Sequence, residues 1–99
     1  MNNKLLNNLE GSEFQILVWK EIAKIPHGQT RTYKQLAIAI GKPNSSRAVA
    51  NACGKNPYAP DIPCHRVIRS DGLVGGYSGH GGQKKKKDLL EKEGIKLLK

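Results

Sequence analysis

The chain has 99 residues and a formal net charge of +9, with a pI near 9.8 and a mean hydropathy of -0.55. That length suits one compact domain with a modest core, and no apolar run approaches the roughly 20 residues that cross a bilayer. The positive charge points to a polyanion, with nucleic acid ahead of an acidic membrane surface and a merely soluble basic surface as the plain alternative.

Residues 1–11 read as an N-terminal tail. They lack the long apolar region and small-residue cleavage site of a secretory signal, so a cytoplasmic location is expected. Cys53 and Cys64 are then expected to stay reduced. No CxxC is present, and His27, His65 and His80 lack the ligand spacing of zinc sites, so no metal is expected.

Ser12-Glu13-Phe14-Gln15 is a capping box. Phe14, Leu17, Val18, Ile22 and Ile25 recur at helical spacing, which predicts a helix to Ile25, stopped by Pro26-His27-Gly28. Trp19 borders that apolar face, where packing is expected ahead of base stacking.

Thr32-Tyr33-Lys34-Gln35 is a second capping box. Its helix carries Leu36, Ala37 and Ile40 inward and ends at Gly41. After the turn Lys42-Pro43-Asn44-Ser45, Asn44 or Ser45 should cap a third helix over Ser46–Cys53, closed by Gly54. Two short helices about a tight turn form a helix-turn-helix pattern. The third helix has three alanines and little bulk, which suits close packing within the protein or close approach to DNA. Arg47 in its first turn, flanked by Arg31, Lys34, Lys42 and Lys55, favours DNA.

Ile62-Pro63-Cys64-His65-Arg66-Val67 sets a thiol beside an imidazole and a guanidinium. A thiolate is the nucleophilic form, and a nearby base or positive charge generates it from a thiol of ordinary pKa ~8.5. Pro63 biases the segment towards extended backbone. Neighbouring side chains of a strand point to opposite faces, so a bridging water is the expected relay between Cys64 and His65. Val67-Ile68-Arg69 and Leu73-Val74 flank an Asp71-Gly72 turn, which predicts a small β-hairpin. A glycine-rich loop, Gly75 to Gly82, suits close approach of backbone to a ligand. The last helix should run from Gln83 to Glu93 with Leu89 and Leu90 inward, ending at Gly94. Its run Lys84–Lys87 reads as a solvated face, although four cations at a helix start oppose the macrodipole.

From Gly11 to Gly94 these motifs resemble the catalytic, DNA-binding domain of the O6-alkylguanine-DNA alkyltransferases. The resemblance is carried by Phe14-Gln15 with Val18-Trp19, Ile25-Pro26-His27-Gly28, Thr32-Tyr33, Arg47-Ala48-Val49, Asn56-Pro57, Pro63-Cys64-His65-Arg66-Val67 and Gly76-Tyr77-Ser78-Gly79. It implies a mainly α fold with a small β-hairpin and a winged helix-turn-helix, occupying residues 12–99 and acting as a monomer. The implied function is repair of double-stranded DNA by stoichiometric transfer of an alkyl group from O6-alkylguanine, and from O4-alkylthymine, to the protein's own cysteine. Minor-groove binding and base flipping precede transfer, and no cofactor is implied.

The implied roles make Cys64 the acceptor, His65 its base, and Glu93 the carboxylate orienting that imidazole. Tyr33 is the phenol donating to the departing guanine, and Asn56 organises the turn beside the site. Arg47 is the finger filling the space left by the extruded base, with Ala48, Ala50, Asn51 and Thr32 also on the DNA side. Tyr77 and Ser78, with Val67 and Trp19, line the pocket. Many family members carry a further N-terminal domain, sometimes metal-binding, that this chain is expected to lack. The rivals are an alkyltransferase-like damage sensor, in which the acceptor cysteine is replaced, commonly by Trp, and a regulator in which Cys64 only senses its chemical state.

Overall fold

The computed structural model describes residues 6–59, 61–71 and 82–95. Helix α1 spans Glu13–Ile22, strand β1 Arg31–Thr32, helix α2 Tyr33–Ala39 and helix α3 Ser46–Gly54. A 3₁₀ turn over Cys64–Arg66 leads into strand β2, Val67–Ile68, and helix α4 spans Gly82–Lys92. The fold is therefore mainly α with a two-stranded sheet.

Both capping boxes form. Ser12 Oγ accepts from Gln15 N and the Gln15 side chain accepts from Ser12 N, and Thr32 and Gln35 repeat the exchange. Each box satisfies amides that a helix start leaves without an intrahelical partner. α1 ends three residues short of Ile25. Pro26 disfavours helical backbone at Ile25, and the chain tightens, with Lys24 N donating to Glu21 O and Ile25 N to Ile22 O.

α2 closes in a Schellman motif. Gly41 adopts φ +79°, its N–H donates to Ile38 O, and Lys42 N donates to Ala37 O. That compact turn delivers the chain to α3. Ser45 occupies the N-cap position of α3 but makes no side-chain capping bond. Its backbone, at φ -108° and ψ 24°, is not the extended conformation of a capping residue.

The core joins α1, α2 and α3 through Val18, Trp19, Ile22, Leu36, Ala37, Val49, Ala52 and Cys53, with Ile62, Cys64 and Val67 beneath them. Trp19 is a packing residue: it is buried, its Nε1–H donates to Ala52 O at 2.9 Å, and its ring meets Tyr58 edge-on. The end of the N-terminal tail is docked as well. Leu9 packs on the core and Glu10 N donates to Tyr58 Oη.

One expectation near Cys64 changes. The segment is not extended: Cys64 N donates to Ile62 O across Pro63, whose φ -79° and ψ 66° describe an inverse γ-turn. Arg66 N then donates to Pro63 O, starting the 3₁₀ turn. Strand β2 pairs with β1, in parallel, with Arg31 opposite Val67 and Thr32 opposite Ile68. The partner strand proposed for a hairpin, Leu73-Val74, lies outside the described residues.

Trp19→Phe should lower stability by about 0.5–1.5 kcal/mol, because the indole hydrogen bond to the Ala52 carbonyl is lost while Lys55 N still donates to that oxygen. Urea unfolding monitored by circular dichroism checks this; an unchanged midpoint would show that the indole bond contributes nothing net.

Candidate active site

Glu93 organises the site. It follows the last residue of α4, fixed there by a second Schellman motif in which Gly94 adopts φ +81°, Gly94 N donates to Glu91 O and Ile95 N donates to Leu90 O. A carboxylate at a helix C-terminus opposes the macrodipole, and its side chain is only 8% exposed. It needs strong donors, and three residues from two turns supply them.

His65 Nε2 lies 2.7 Å from Glu93 Oε2. Arg66 grips both carboxylate oxygens, Nε at 2.9 and 3.1 Å and Nη2 at 2.9 Å, while its Nη1 donates to Ile25 O. Gly28 N donates to Oε1 at 3.0 Å from a turn with φ +86°, a backbone conformation that favours glycine. Burial alone would raise the Glu93 carboxyl, but the hydrogen bonds from Arg66, His65 and Gly28 outweigh it and hold the group at about 2.

Burial pushes His65 below its usual range, against the opposing pull of Glu93. A neutral imidazole beside an ionised carboxylate must donate from Nε2, since the carboxylate can only accept. Nδ1 then keeps its lone pair. That atom is buried and has no hydrogen-bond partner among the described residues, so the ring presents a base on the side away from Glu93.

Cys64 is buried one residue earlier. In a 3₁₀ turn successive side chains are roughly 120° apart, so the opposite-face argument for an extended segment does not apply to Cys64 and His65. Asn56 pins the approach: Nδ2 donates to Ile62 O at 2.9 Å and Oδ1 accepts from Tyr58 N at 2.9 Å. Cys53 is also buried, and burial first, then the neighbouring Cys64, pushes its thiol up to about 12, which leaves it unreactive.

Tyr33 opens α2, and burial, followed by Cys53 and Cys64, raises its phenol to about 12. It therefore stays protonated. Val67 is fully buried beside Cys64 in the core. Tyr77 and Ser78 lie outside the described residues. On α3, Arg47, Ala48 and Asn51 are exposed and Ala50 is half-buried, whereas Val49, Ala52 and Cys53 face the core. The inner face of the alanine-rich helix thus packs within the protein, and its outer face, with Arg47, is exposed. Thr32 Oγ1 is engaged as the cap of α2.

Three contributors escaped the sequence reading. Arg66 was read as a charge beside the thiol, not as the clamp on Glu93. Gly28 was read only as a helix stop. Lys86, in the supposed solvated run, is fully buried, while Lys84 and Lys85 are exposed. Its spacing from Leu90 and Glu93, at i+4 and i+7, was the available signal.

Comparison with known proteins agrees with this geometry. Residues 13–95 match the family model described as 6-O-methylguanine DNA methyltransferase, DNA binding domain. A methylated-DNA–protein-cysteine methyltransferase of Methanosarcina barkeri is 56% identical over 69 residues, 70% of this chain and 44% of that protein. The crystal structure of Mycobacterium tuberculosis OGT in complex with DNA superposes with a TM-score of 0.82 at 48% identity, covering 87% of this chain and 52% of that one. Schizosaccharomyces pombe Atl1, solved with damaged DNA containing O6-carboxymethylguanine, gives a TM-score of 0.76 at 32% identity, covering 89% of this chain and 82% of that one. The chain spans about half or less of the length of the methyltransferases it matches here. Matched from the first residue of α1 to the turn beyond Glu93, over residues 13–95, the chain belongs to the 6-O-methylguanine DNA methyltransferase family.

Proposed function

We propose that the chain repairs alkylated DNA by moving an alkyl group from O6 of guanine, in a duplex, onto Cys64. The observation that carries this reading is the retained Cys64 thiol, buried next to an imidazole whose far nitrogen is held by Glu93.

The thiol proton passes to His65 Nδ1, through a bridging water. The thiolate sulfur then forms a bond to the alkyl carbon as the carbon–O6 bond breaks, and the electron pair moves into the purine. The Tyr33 O–H donates to the ring nitrogen where that charge collects, and a proton finally returns to give neutral guanine. The product is a thioether, which a general base does not hydrolyse, so each molecule turns over once and needs no cofactor. O4-alkylthymine presents the same exocyclic ether and is a second substrate.

The target carbon is inaccessible inside a stacked duplex, so the nucleotide must be extruded. The exposed face of α3 suits that step. Ala48 and Ala50 allow close approach in the minor groove, Asn51 offers polar contact, and Arg47 has the length and charge to occupy the vacated space. Thr32, half-buried at the start of α2, is assigned to the same DNA contact. The basic net charge supplies phosphate attraction that weakens with salt.

The likeness to Atl1 favours one second reading, a lesion sensor that binds without transfer. Cys64 separates the two. Mixed with a duplex carrying one O6-methylguanine, the protein should gain one methyl group on the peptide containing Cys64 by intact and peptide mass, and Cys64→Ala should gain none. Tight lesion binding with no mass change would favour the sensor.

Arg47→Ala should slow transfer from duplex O6-methylguanine by about tenfold or more, since extrusion costs a few kcal/mol, and change reaction with free O6-benzylguanine by less than about twofold. Single-turnover kinetics on both substrates checks this; equal losses would remove Arg47 from the extrusion step.

A further inference from the structure

We propose that Lys84, Lys85 and Lys87 form a phosphate-binding rim that grips the backbone of the lesion strand where it bends into the pocket beside Tyr33. The proposal rests on the alkyltransferase reading above and assigns a second DNA contact, on a different element from the exposed face of α3.

The charges of α4 are segregated: Lys84 to Lys87 fall in its first half, Asp88 and Glu91 in its second. Lys86 turns inward with Leu90, and helical phase leaves Lys84 and Lys85 exposed and Lys87 half-buried beside them. None of these three makes an ion pair among the described residues. Asp88 and Glu91 lie four positions beyond Lys84 and Lys87, in the less favourable order of lysine before acid. The cations also stand at the helix end where the macrodipole disfavours them. Among the described residues this charge is uncompensated, so the first half of α4 projects a positive potential into solvent.

Position decides what that potential meets. Lys86 Nζ lies 3.4 Å from Tyr33 Oη, which sets the same turn of α4 against the first residue of α2. α4 also packs on the Cys64–Arg66 turn, and Lys34, exposed next to Tyr33, adds a further cation. Arg47 stands at the other end: it opens α3, whereas Cys53 at the close of α3 is the residue that bears on Tyr33. A nucleotide that rotates out of the stack about its backbone carries its flanking phosphates toward the mouth of the pocket. An ammonium on a flexible four-carbon stem meets such oxygens as a point charge, without a fixed geometry. Arg47 then fills the space left in the stack, and the α4 lysines hold the strand that has moved.

The salt dependence of binding counts these contacts, because log K falls against log salt by about 0.9 for each phosphate neutralised on a duplex. Lys84→Gln/Lys85→Gln/Lys87→Gln should reduce that slope by about 2–3. It should slow transfer from duplex O6-methylguanine by about fivefold or more at subsaturating protein, and change reaction with free O6-benzylguanine by less than about twofold. Lys84→Arg/Lys85→Arg/Lys87→Arg should keep the slope. Lys20→Gln/Lys24→Gln/Lys92→Gln removes the same charge from exposed lysines elsewhere and should reduce the slope by less than about one. With Cys64→Ala in place so that no alkyl group moves, methylphosphonates at the two phosphates flanking the lesion should weaken binding more with the α4 lysines present than with the three glutamine substitutions. An unchanged slope in the α4 variant, equal reductions in both glutamine variants, equal weakening by the methylphosphonates, or benzyl transfer slowed as much as duplex transfer would each overturn the proposal. Wild-type protein that takes no benzyl group would overturn the alkyltransferase reading instead, with the slopes still deciding whether α4 grips DNA.

Discussion

The carboxylate of Glu93 is a buried charge at the wrong end of a helix, and the site exists because other segments converge to stabilise it. Desolvating such an ion costs several kcal/mol unless good donors replace water. Arg66 supplies a fork, Gly28 a backbone amide and His65 a ring N–H. These donors come from the turn after α1 and the turn after Cys64, so a single carboxylate ties α4 to both. Arg66 reaches further, to Ile25 O, and locks the end of α1 to the same cluster. The network holds Glu93 ionised and His65 neutral, with the imidazole fixed in orientation from one side only.

Helix–helix packing provides the frame on which that network acts. Trp19 fastens α1 to the end of α3, and Val49, Ala52 and Cys53 seat α3 on its inner face. The outer face of α3 is thereby presented rigidly, without long side chains except Arg47. Asn56 and the γ-turn at Pro63 then bring Cys64 under the helices. The outer face of α3 and Cys64, separated by a proline-rich connection, are thus carried by one core, as the proposed extrusion of a base into a fixed pocket requires. Lys86, entering from α4, completes the enclosure on the Tyr33 side.

Much of this was legible because it is local. The two capping boxes span four residues each and fold as read; Gly41 and Gly94 end their helices by the one conformation that glycine adopts cheaply. Cys64, His65, Asn56 and Glu93 were reached through motifs, and the structure brings His65 and Glu93 into contact. What escaped was set by long-range partners. β1 is two residues long and exists only because β2 lies beside it, far below any periodicity. The 3₁₀ turn at Cys64 follows from Pro63 and from Asn56 holding the Ile62 carbonyl, not from the propensity of the segment. Four identical lysines differ only in helical phase, so Lys86 could be told from its neighbours only by counting back from Leu90.

The account turns on the protonation state that this cluster imposes on one imidazole. Nitrogen-15 NMR of His65 in the free protein, followed through a pH titration, tests it directly. The ring should be neutral at pH 7 with its proton on Nε2 and a bare Nδ1, and should accept a second proton only below the ordinary value of 6.5, because burial disfavours the imidazolium. A doubly protonated ring at pH 7, or a neutral ring carrying its proton on Nδ1, would contradict it.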